Sequence, residues 1–264
     1  MAEDTKPLER FSVHVATPAY DGKVDEGFAS SMLMAGQIAT TNFVEVSCSI
    51  MGNGAFIELA RNVLVHKFLN LEDHKHFTHF MFIDADLKFE PRSLAGLVRA
   101  NWPVCAGIYR RRMEEEDYPV RWIPEPGSED RLWMTDEWLH CDRVATGFLC
   151  IRRDVLEEMT RRAIAGEFPY DKRPGVVHLQ TEGDIPWLFH TKIDDEGRFE
   201  GEDFCWCDDY MALHEAGVWD TPIMAWPDFD FVHGGYECNY YKYLEKKVAE
   251  GKAVKKLGKK RLGK

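Results

Sequence analysis

The sequence predicts an α/β protein with a mostly parallel central sheet flanked by helices, and three stretches carry that expectation. Phe80-Met81-Phe82-Ile83 is a short continuous apolar run, which suits a strand covered on both faces. Just downstream, Pro91 favours a helix start, and Leu94, Leu97 and Val98 continue one apolar face. Upstream, Ile57, Ala60, Leu64, Phe68 and Leu71 follow helical spacing and form one face of an amphipathic helix. The apolar run ends abruptly in Asp84-Ala85-Asp86. Ligands of open α/β sheets bind at the carboxyl ends of strands. Two carboxylates there can hold a divalent cation, and the cation a diphosphate. A single aspartate in that place would more readily be read as a cap of the following helix.

The remaining elements follow in order. Phe11 to Thr17 alternates apolar and polar residues and reads as the first strand, running into the loop Pro18-Ala19-Tyr20-Asp21-Gly22. Gly27 to Thr40 reads as a helix, Phe43 to Ile50 as a second strand, and Gly52-Asn53-Gly54 as a turn. Pro103 to Ile108 is a short strand. Arg110 to Arg143 is poorly periodic and rich in charge, Trp and Pro, and reads as an excursion over the sheet. Val144 to Ile151 returns as a strand, followed by a helix from Arg153 to about Ala165. Gly166 to Gly201 is irregular, broken by Pro169, Pro174 and Pro186. Asp203 to Ala216 is a helix closed by Gly217, and Trp219 to Phe231 leads to His233-Gly234-Gly235. The economical division is a polar segment at 1–10, one domain at 11–241 and a basic tail at 242–264.

Composition narrows the class. A chain of 264 residues with 45% hydrophobic and 12% aromatic content has ample material for a core. No apolar run approaches the roughly 20 residues of a membrane span. The polar start, Met1 to Arg10, is expected to be neither signal peptide nor anchor. Seven cysteines without regular spacing suit a reducing cytoplasm, and Cys205-x-Cys207 lacks zinc-knuckle spacing. The net charge of -12 is uneven. Ten Lys/Arg against Glu245 and Glu250 give the segment 242–264 a charge of +8, leaving -20 on the rest. A basic tail on an acidic body fits contact with nucleic acid or another anionic surface, or a solvated terminus.

Five pieces in order give the chain a resemblance to glycosyltransferases of the GT-A fold, and among them to the small, family 2-like enzymes of bacteriophage genomes. They are Ala16-Thr17-Pro18, Ala60-Arg61-Asn62, Phe82-Ile83-Asp84-Ala85-Asp86, Ala106-Gly107-Ile108-Tyr109 and Thr146-Gly147-Phe148-Leu149-Cys150-Ile151-Arg152-Arg153. A late Glu202-Asp203 pair and His233 complete the pattern, which covers about Phe11 to Gly235. The fold implied is a Rossmann-like GT-A sheet with irregular insertions on the acceptor side.

The resemblance also implies roles. The Thr17-Pro18 loop would lie beside the nucleotide base, with Asp21 as a partner for it. Arg61 would approach the donor sugar or diphosphate. Asp84 and Asp86 would hold the metal, Mn2+ or Mg2+, with His233 as a late ligand; carboxylates with an imidazole suit manganese at least as well as magnesium. Gly147 would form the floor under a substrate, and Glu202-Asp203 would supply the base for the acceptor hydroxyl, Asp203 first. The donor would be a nucleotide sugar, commonly a UDP-sugar. The acceptor would be a hydroxymethylated pyrimidine in DNA gripped by the basic tail, inside the bacterial host cytoplasm if the chain is phage-encoded. Inversion is the expected stereochemistry; the alternatives are a retaining enzyme acting on a glycan, protein or small molecule, and a non-catalytic nucleotide-sugar-binding module. Other paired-aspartate classes fit less well. A haloacid-dehalogenase-type phosphatase places its aspartates after the first strand, and a sugar nucleotidyltransferase needs a glycine-rich basic loop that Thr17 to Gly22 lacks.

Overall fold

In a computed structural model, which describes residues 10–52, 56–128, 131–167, 172–174, 181 and 183–250, the polar residues that alternate along the first strand are buried. Strand β1 (Phe11–Ala19) pairs in parallel with β2 (Val44–Gly52) on one side and with β3 (His79–Ile83) on the other. Helix α1 (Glu26–Thr41) leads from β1 to β2, and α2 (Ile57–Asn70) from β2 towards β3. With neighbours on both edges and helices against it, β1 has no solvent face, so its polar side chains need internal partners. Ser12 and Thr78 exchange backbone and hydroxyl hydrogen bonds. The two ring nitrogens of His14 meet the hydroxyls of Ser47 (2.6 Å) and Ser49 (2.9 Å), two residues apart on the same face of β2.

Beyond β3 the sheet becomes mixed. After β4 (Leu87–Phe89), α3 (Pro91–Ala100) and β5 (Val104–Gly107) come three strands from the stretch read as an excursion: β6 (Arg121–Trp122), β7 (Met134–Thr135) and β8 (Trp138–Arg143). Next are β9 (Phe148–Arg152) and α4 (Arg153–Ala165), followed by the short hairpin strands β10 (Lys172–Pro174), β11 (Asp184–Pro186), β12 (Lys192–Ile193) and β13 (Phe199–Glu200). The chain ends in α5 (Glu202–Glu215), β14 (Ile223–Trp226), β15 (Phe231–His233), β16 (Tyr236–Cys238) and α6 (Tyr240–Ala249). The central sheet runs β2-β1-β3-β9-β5-β14-β8-β6, with β7 on β8. β9 is antiparallel to both β3 and β5, whereas β5 and β14 are parallel. Helices α1 and α3 pack together against the sheet, as do α2 and α4.

The α/β class and the helix-flanked sheet thus follow the sequence reading, and α4 begins and ends where it was expected. Two expectations need correction. The stretch Arg110 to Arg143 is not wholly an excursion, because β8 joins the central sheet beside β14 and buries Trp138, Leu139 and Cys141. Its sequence, Trp-Leu-His-Cys-Asp-Arg, lacks a period-2 signature, so only its pairing reveals it. The strand read as Val144 to Ile151 begins only at Phe148, after the turn that carries Gly147. The loop tryptophans are mainly anchors: Trp138 packs against Trp102 and Trp226, and Trp133 stacks on His140. The segment predicted as a tail starts as part of α6, which buries Tyr240 and Leu244; residues 1–9, 53–55 and 251–264 lie outside the described residues.

A second sheet, β16-β15-β4, stands beside the end of β3 and is entirely antiparallel. In it Leu87 pairs with His233, which carries the distant histidine to the residue next to Asp86.

Buried imidazoles make the fold acid-sensitive. Burial, with His74 adding repulsion, holds His14 down at about 4; burial does the same for His79, helped by Arg152, and for His140, helped by His214. All three are neutral in the folded chain and bind protons near 6.5 once unfolded. The unfolded state therefore takes up more protons between pH 6.5 and 4, and stability falls as pH is lowered through that window. Denaturant unfolding at pH 7, 5.5 and 4 should show a loss on the order of a few kcal/mol; His14→Gln should flatten part of that dependence.

Candidate metal centre between two clefts

The site is assembled at the carboxyl end of β3, where the chain leaves the sheet. The amide of Asp84 donates to the Gly147 carbonyl (3.0 Å), and the Leu87 amide closes a turn onto the Asp84 carbonyl (3.2 Å). The Ala85 carbonyl accepts from the amide of Asp25 at the start of α1 (2.9 Å). This turn directs the two carboxylates to different neighbours. Asp84 Oδ2 accepts from the Tyr109 hydroxyl (3.2 Å), which itself accepts from the Gly147 amide (3.0 Å). A Cβ at Gly147 would sit 2.0 Å from Asp84 Oδ2 and 2.1 Å from the Tyr109 hydroxyl oxygen. Glycine is needed there because Asp84 and Tyr109 already fill the space.

Asp86 faces Arg112 Nη1 at 2.5 Å and His233 Nε2 at 3.5 Å. The other ring nitrogen of His233 lies 2.8 Å from the Arg110 carbonyl oxygen. A carbonyl only accepts, so Nδ1 carries the proton and Nε2 is the nitrogen presented to Asp86. This is the arrangement by which a backbone carbonyl orients a ligating imidazole. Burial opposes charge on both groups, but their mutual contact prevails: His233 is raised above its ordinary value, and Asp86, facing His233 and Arg112, is lowered.

Asp84, Asp86 and His233 each offer a ligand atom, and these atoms lie within 4.8 Å of one another. Octahedral bonds of about 2.1 Å put ligand atoms roughly 3–4 Å apart. A small contraction would therefore seat a cation, and the donor set of two carboxylates and an imidazole suits Mn2+ or Mg2+.

Two clefts meet at this group. One, of about 550 Å³, is lined by Pro18, Asp21, Arg61, Asp84, Asp86 and Arg112. The other, of about 540 Å³, is lined by Tyr109, Arg111, Phe199, Asp203 and His233 among others. Arg61 projects from α2 into the first. Its side chain is only 6% exposed, lies over the Phe82 ring, and approaches Asp84 and Glu202 at 3.6 Å each. At that length neither contact is a hydrogen bond, and its Nε and Nη1 have no hydrogen-bond partner. A buried guanidinium with unsatisfied donors in the wall of a cleft suits an anionic ligand.

Glu202 and Asp203 open helix α5. Burial raises both carboxyls, the nearby Arg61 only partly offsetting it, and Asp203 Oδ1 accepts from the Phe204 amide (2.8 Å). The helix start is held by Arg143, which forks onto Asp208 (2.7 Å to each oxygen) and also reaches Glu200 (2.8 Å). Thr17, at the end of β1, is buried with its hydroxyl unpartnered, whereas Pro18 and Asp21 line the first cleft. Asp21 is exposed and folds back on the Lys23 amide (3.1 Å).

The sequence-derived residues therefore converge: the Asp84-Ala85-Asp86 turn, Arg61, His233, Gly147, Glu202 and Asp203 surround one junction, and Pro18 and Asp21 border the first cleft. Tyr109 and Arg112 had no assigned role. A signal existed for Arg112, since Arg110-Arg111-Arg112 is a run of three arginines just after a strand in an acidic chain.

No known family model matches the chain, and no curated protein matches it. Among solved structures it is similar to one titled "Crystal Structure of A197 from STIV", with 14% identity over 84% of this chain and 85% of that chain and a TM-score of 0.45. A likeness of that size assigns no function. Among the described residues no helix is long and apolar enough to cross a membrane.

Gly147→Ala should drive its new methyl group into Asp84 and Tyr109. The expected result is a loss of about 1–3 kcal/mol in denaturant unfolding, with manganese affinity falling more than about tenfold by calorimetry.

Proposed function

We propose that this protein is a metal-dependent GT-A glycosyltransferase that moves a sugar from a nucleoside-diphosphate donor to an acceptor hydroxyl. The observation that carries the proposal is the junction itself: a candidate cation site divides two clefts, with buried Arg61 on one side and partly buried Asp203 on the other. Asp84, Asp86 and His233 would hold Mn2+ or Mg2+, which when bound supplies Lewis-acid neutralisation of a diphosphate leaving group. Arg61, in the wall of the first cleft, would set its positive charge beside the same anion or the donor sugar. Pro18 and Asp21 would border the nucleotide base, most simply uracil of a UDP-sugar.

Asp203 lines the second cleft, where it would accept the proton of the attacking hydroxyl. Burial raises its carboxyl, so it is a better base than a solvated aspartate once ionised. A base opposite the leaving diphosphate supports inversion. Glu202 sits closer to Arg61 (3.6 Å) and would act as its counter-charge.

For the acceptor we favour a hydroxymethylated pyrimidine in DNA, in a host cytoplasm. The support is the +8 charge of 242–264 and the exposed Phe199 at the second cleft, which offers a face for a base. Deleting 251–264 should weaken binding to duplex DNA and reduce the slope of log affinity against log salt; an unchanged slope would exclude the tail from DNA contact.

Calorimetric titration of UDP tests the donor site. Binding should require manganese or magnesium, disappear with EDTA, and disappear in Asp86→Ala. Asp203→Asn should retain that binding yet lose roughly a hundredfold or more in kcat. In the wild type, activity should fall as pH drops through an apparent pKa above the ordinary aspartate range, because the base is then protonated. Retained activity in Asp203→Asn would remove that residue from the chemistry.

A further inference from the structure

Arg112 occupies a place that no assigned role explains. It lines the first cleft with Arg61, Asp84 and Asp86, and its Nη1 lies 2.5 Å from Asp86 Oδ2. Its partner is thus one of the three candidate metal ligands. The contact is not an accident of a loose loop. The preceding Arg110 is buried and turned inward: its Nη2 donates to the carbonyls of Met113 (2.6 Å) and Glu114 (3.1 Å), and its guanidinium lies over the Tyr236 ring. The Arg111 amide donates to Asp117 (2.9 Å) and the Met113 amide to Arg111 (3.0 Å), closing the turn on both sides of Arg112.

The stem of Arg112 is also seated. Gly234 has a φ of +57°, and a Cβ there would lie 2.6 Å from Arg112 Cδ and 2.7 Å from Cγ. The absence of a side chain at Gly234, in the turn between β15 and β16, leaves the space through which the Arg112 stem passes to reach Asp86. The base of the side chain is fixed, while the side chain as a whole is 61% exposed. With its stem against Gly234 and its head group exposed, Arg112 can exchange one oxygen anion for another within reach of Asp86.

We infer that Arg112 is a dual-purpose positioning residue: it neutralises Asp86 when the metal site is empty, and turns to the donor diphosphate when a cation takes Asp86. This rests on the reading of Asp84, Asp86 and His233 as a cation site. Arg112 holds Oδ2 while His233 faces Oδ1, so a cation seated beside His233 would place a second positive charge on the same carboxylate and repel the guanidinium. Cation entry therefore weakens that contact, and a diphosphate on the same cation would offer Arg112 a second anion within the cleft it already lines. Arg112 thus opposes metal alone and favours metal with diphosphate, which links the two binding events.

The two effects have opposite signs, and a purely structural arginine would produce neither. Calorimetry would compare wild type, Arg112→Gln and Arg112→Lys, first with manganese alone and then with inorganic pyrophosphate added to the manganese-loaded protein. Thermal unfolding would confirm that the variants fold. Arg112→Gln should bind manganese about tenfold more tightly than wild type and pyrophosphate about tenfold more weakly, with Arg112→Lys restoring part of each. Manganese binding in Arg112→Gln alone, with none in wild type, would support the inference in its strongest form. Measurable and equal manganese affinities in wild type and Arg112→Gln, or unchanged pyrophosphate affinity, would overturn the role of Arg112 and leave the metal site standing. No manganese binding in any of the three proteins would overturn the metal site, and the inference with it.

Discussion

Two carboxylates held at the end of one buried strand repel each other, and the surrounding structure answers that repulsion. Ligand atoms within 4.8 Å at an effective dielectric of about 20 carry an unbalanced repulsion of about 3 kcal/mol. Three elements far apart in the chain bring compensating groups: Arg61 from α2, Arg112 from the turn after β5, and His233 from β15. Tyr109 adds a hydroxyl donor to Asp84. A centre that gathers this much positive charge around two aspartates is well suited to trade part of it for a metal ion.

The same balance organises the space around the centre. Asp84 and Asp86 face the first cleft, while Tyr109 and His233 also border the second. A group bound at the junction would be reachable from both sides. Arg61 and Glu202 link the two sides, because α2 and the start of α5 meet across them. Arg143, forked onto Asp208, ties the middle of α5 to the end of β8. The residues that hold the clefts apart are thus tied to the central sheet rather than to its loops.

The small β16-β15-β4 sheet has a consequence for how the site forms. Asp86 and His233 are separated by most of the chain, yet the Leu87–His233 register sets them side by side. Closing so long a loop costs entropy, which the burial of Leu87, Phe89 and Phe231 helps to offset. The candidate ligands Asp86 and His233 therefore come together only through the pairing of β4 with β15.

Much was legible in the sequence because it was local. The apolar run Phe80 to Ile83 ending in two aspartates marked the strand and the carboxylates. Helical spacing marked α2 and so the element carrying Arg61, and Pro91 marked the start of α3. The bounds of α4 could be read from Arg153 and Gly166, whose backbone takes the left-handed conformation of a helix end. What the sequence could not determine was which distant groups meet. β8 pairs with β14 through backbone hydrogen bonds that its mixed side chains do not announce. Gly147 was visible as a glycine, but only the packing of Asp84 and Tyr109 explains why no side chain fits there. The three arginines after β5 were visible as charge, but only the turn pinned by Arg110 decides that Arg111 borders one cleft and Arg112 reaches Asp86 in the other. Local pattern reports how each segment meets water, whereas electrostatic partners are chosen by the register of strands that the tertiary structure brings together.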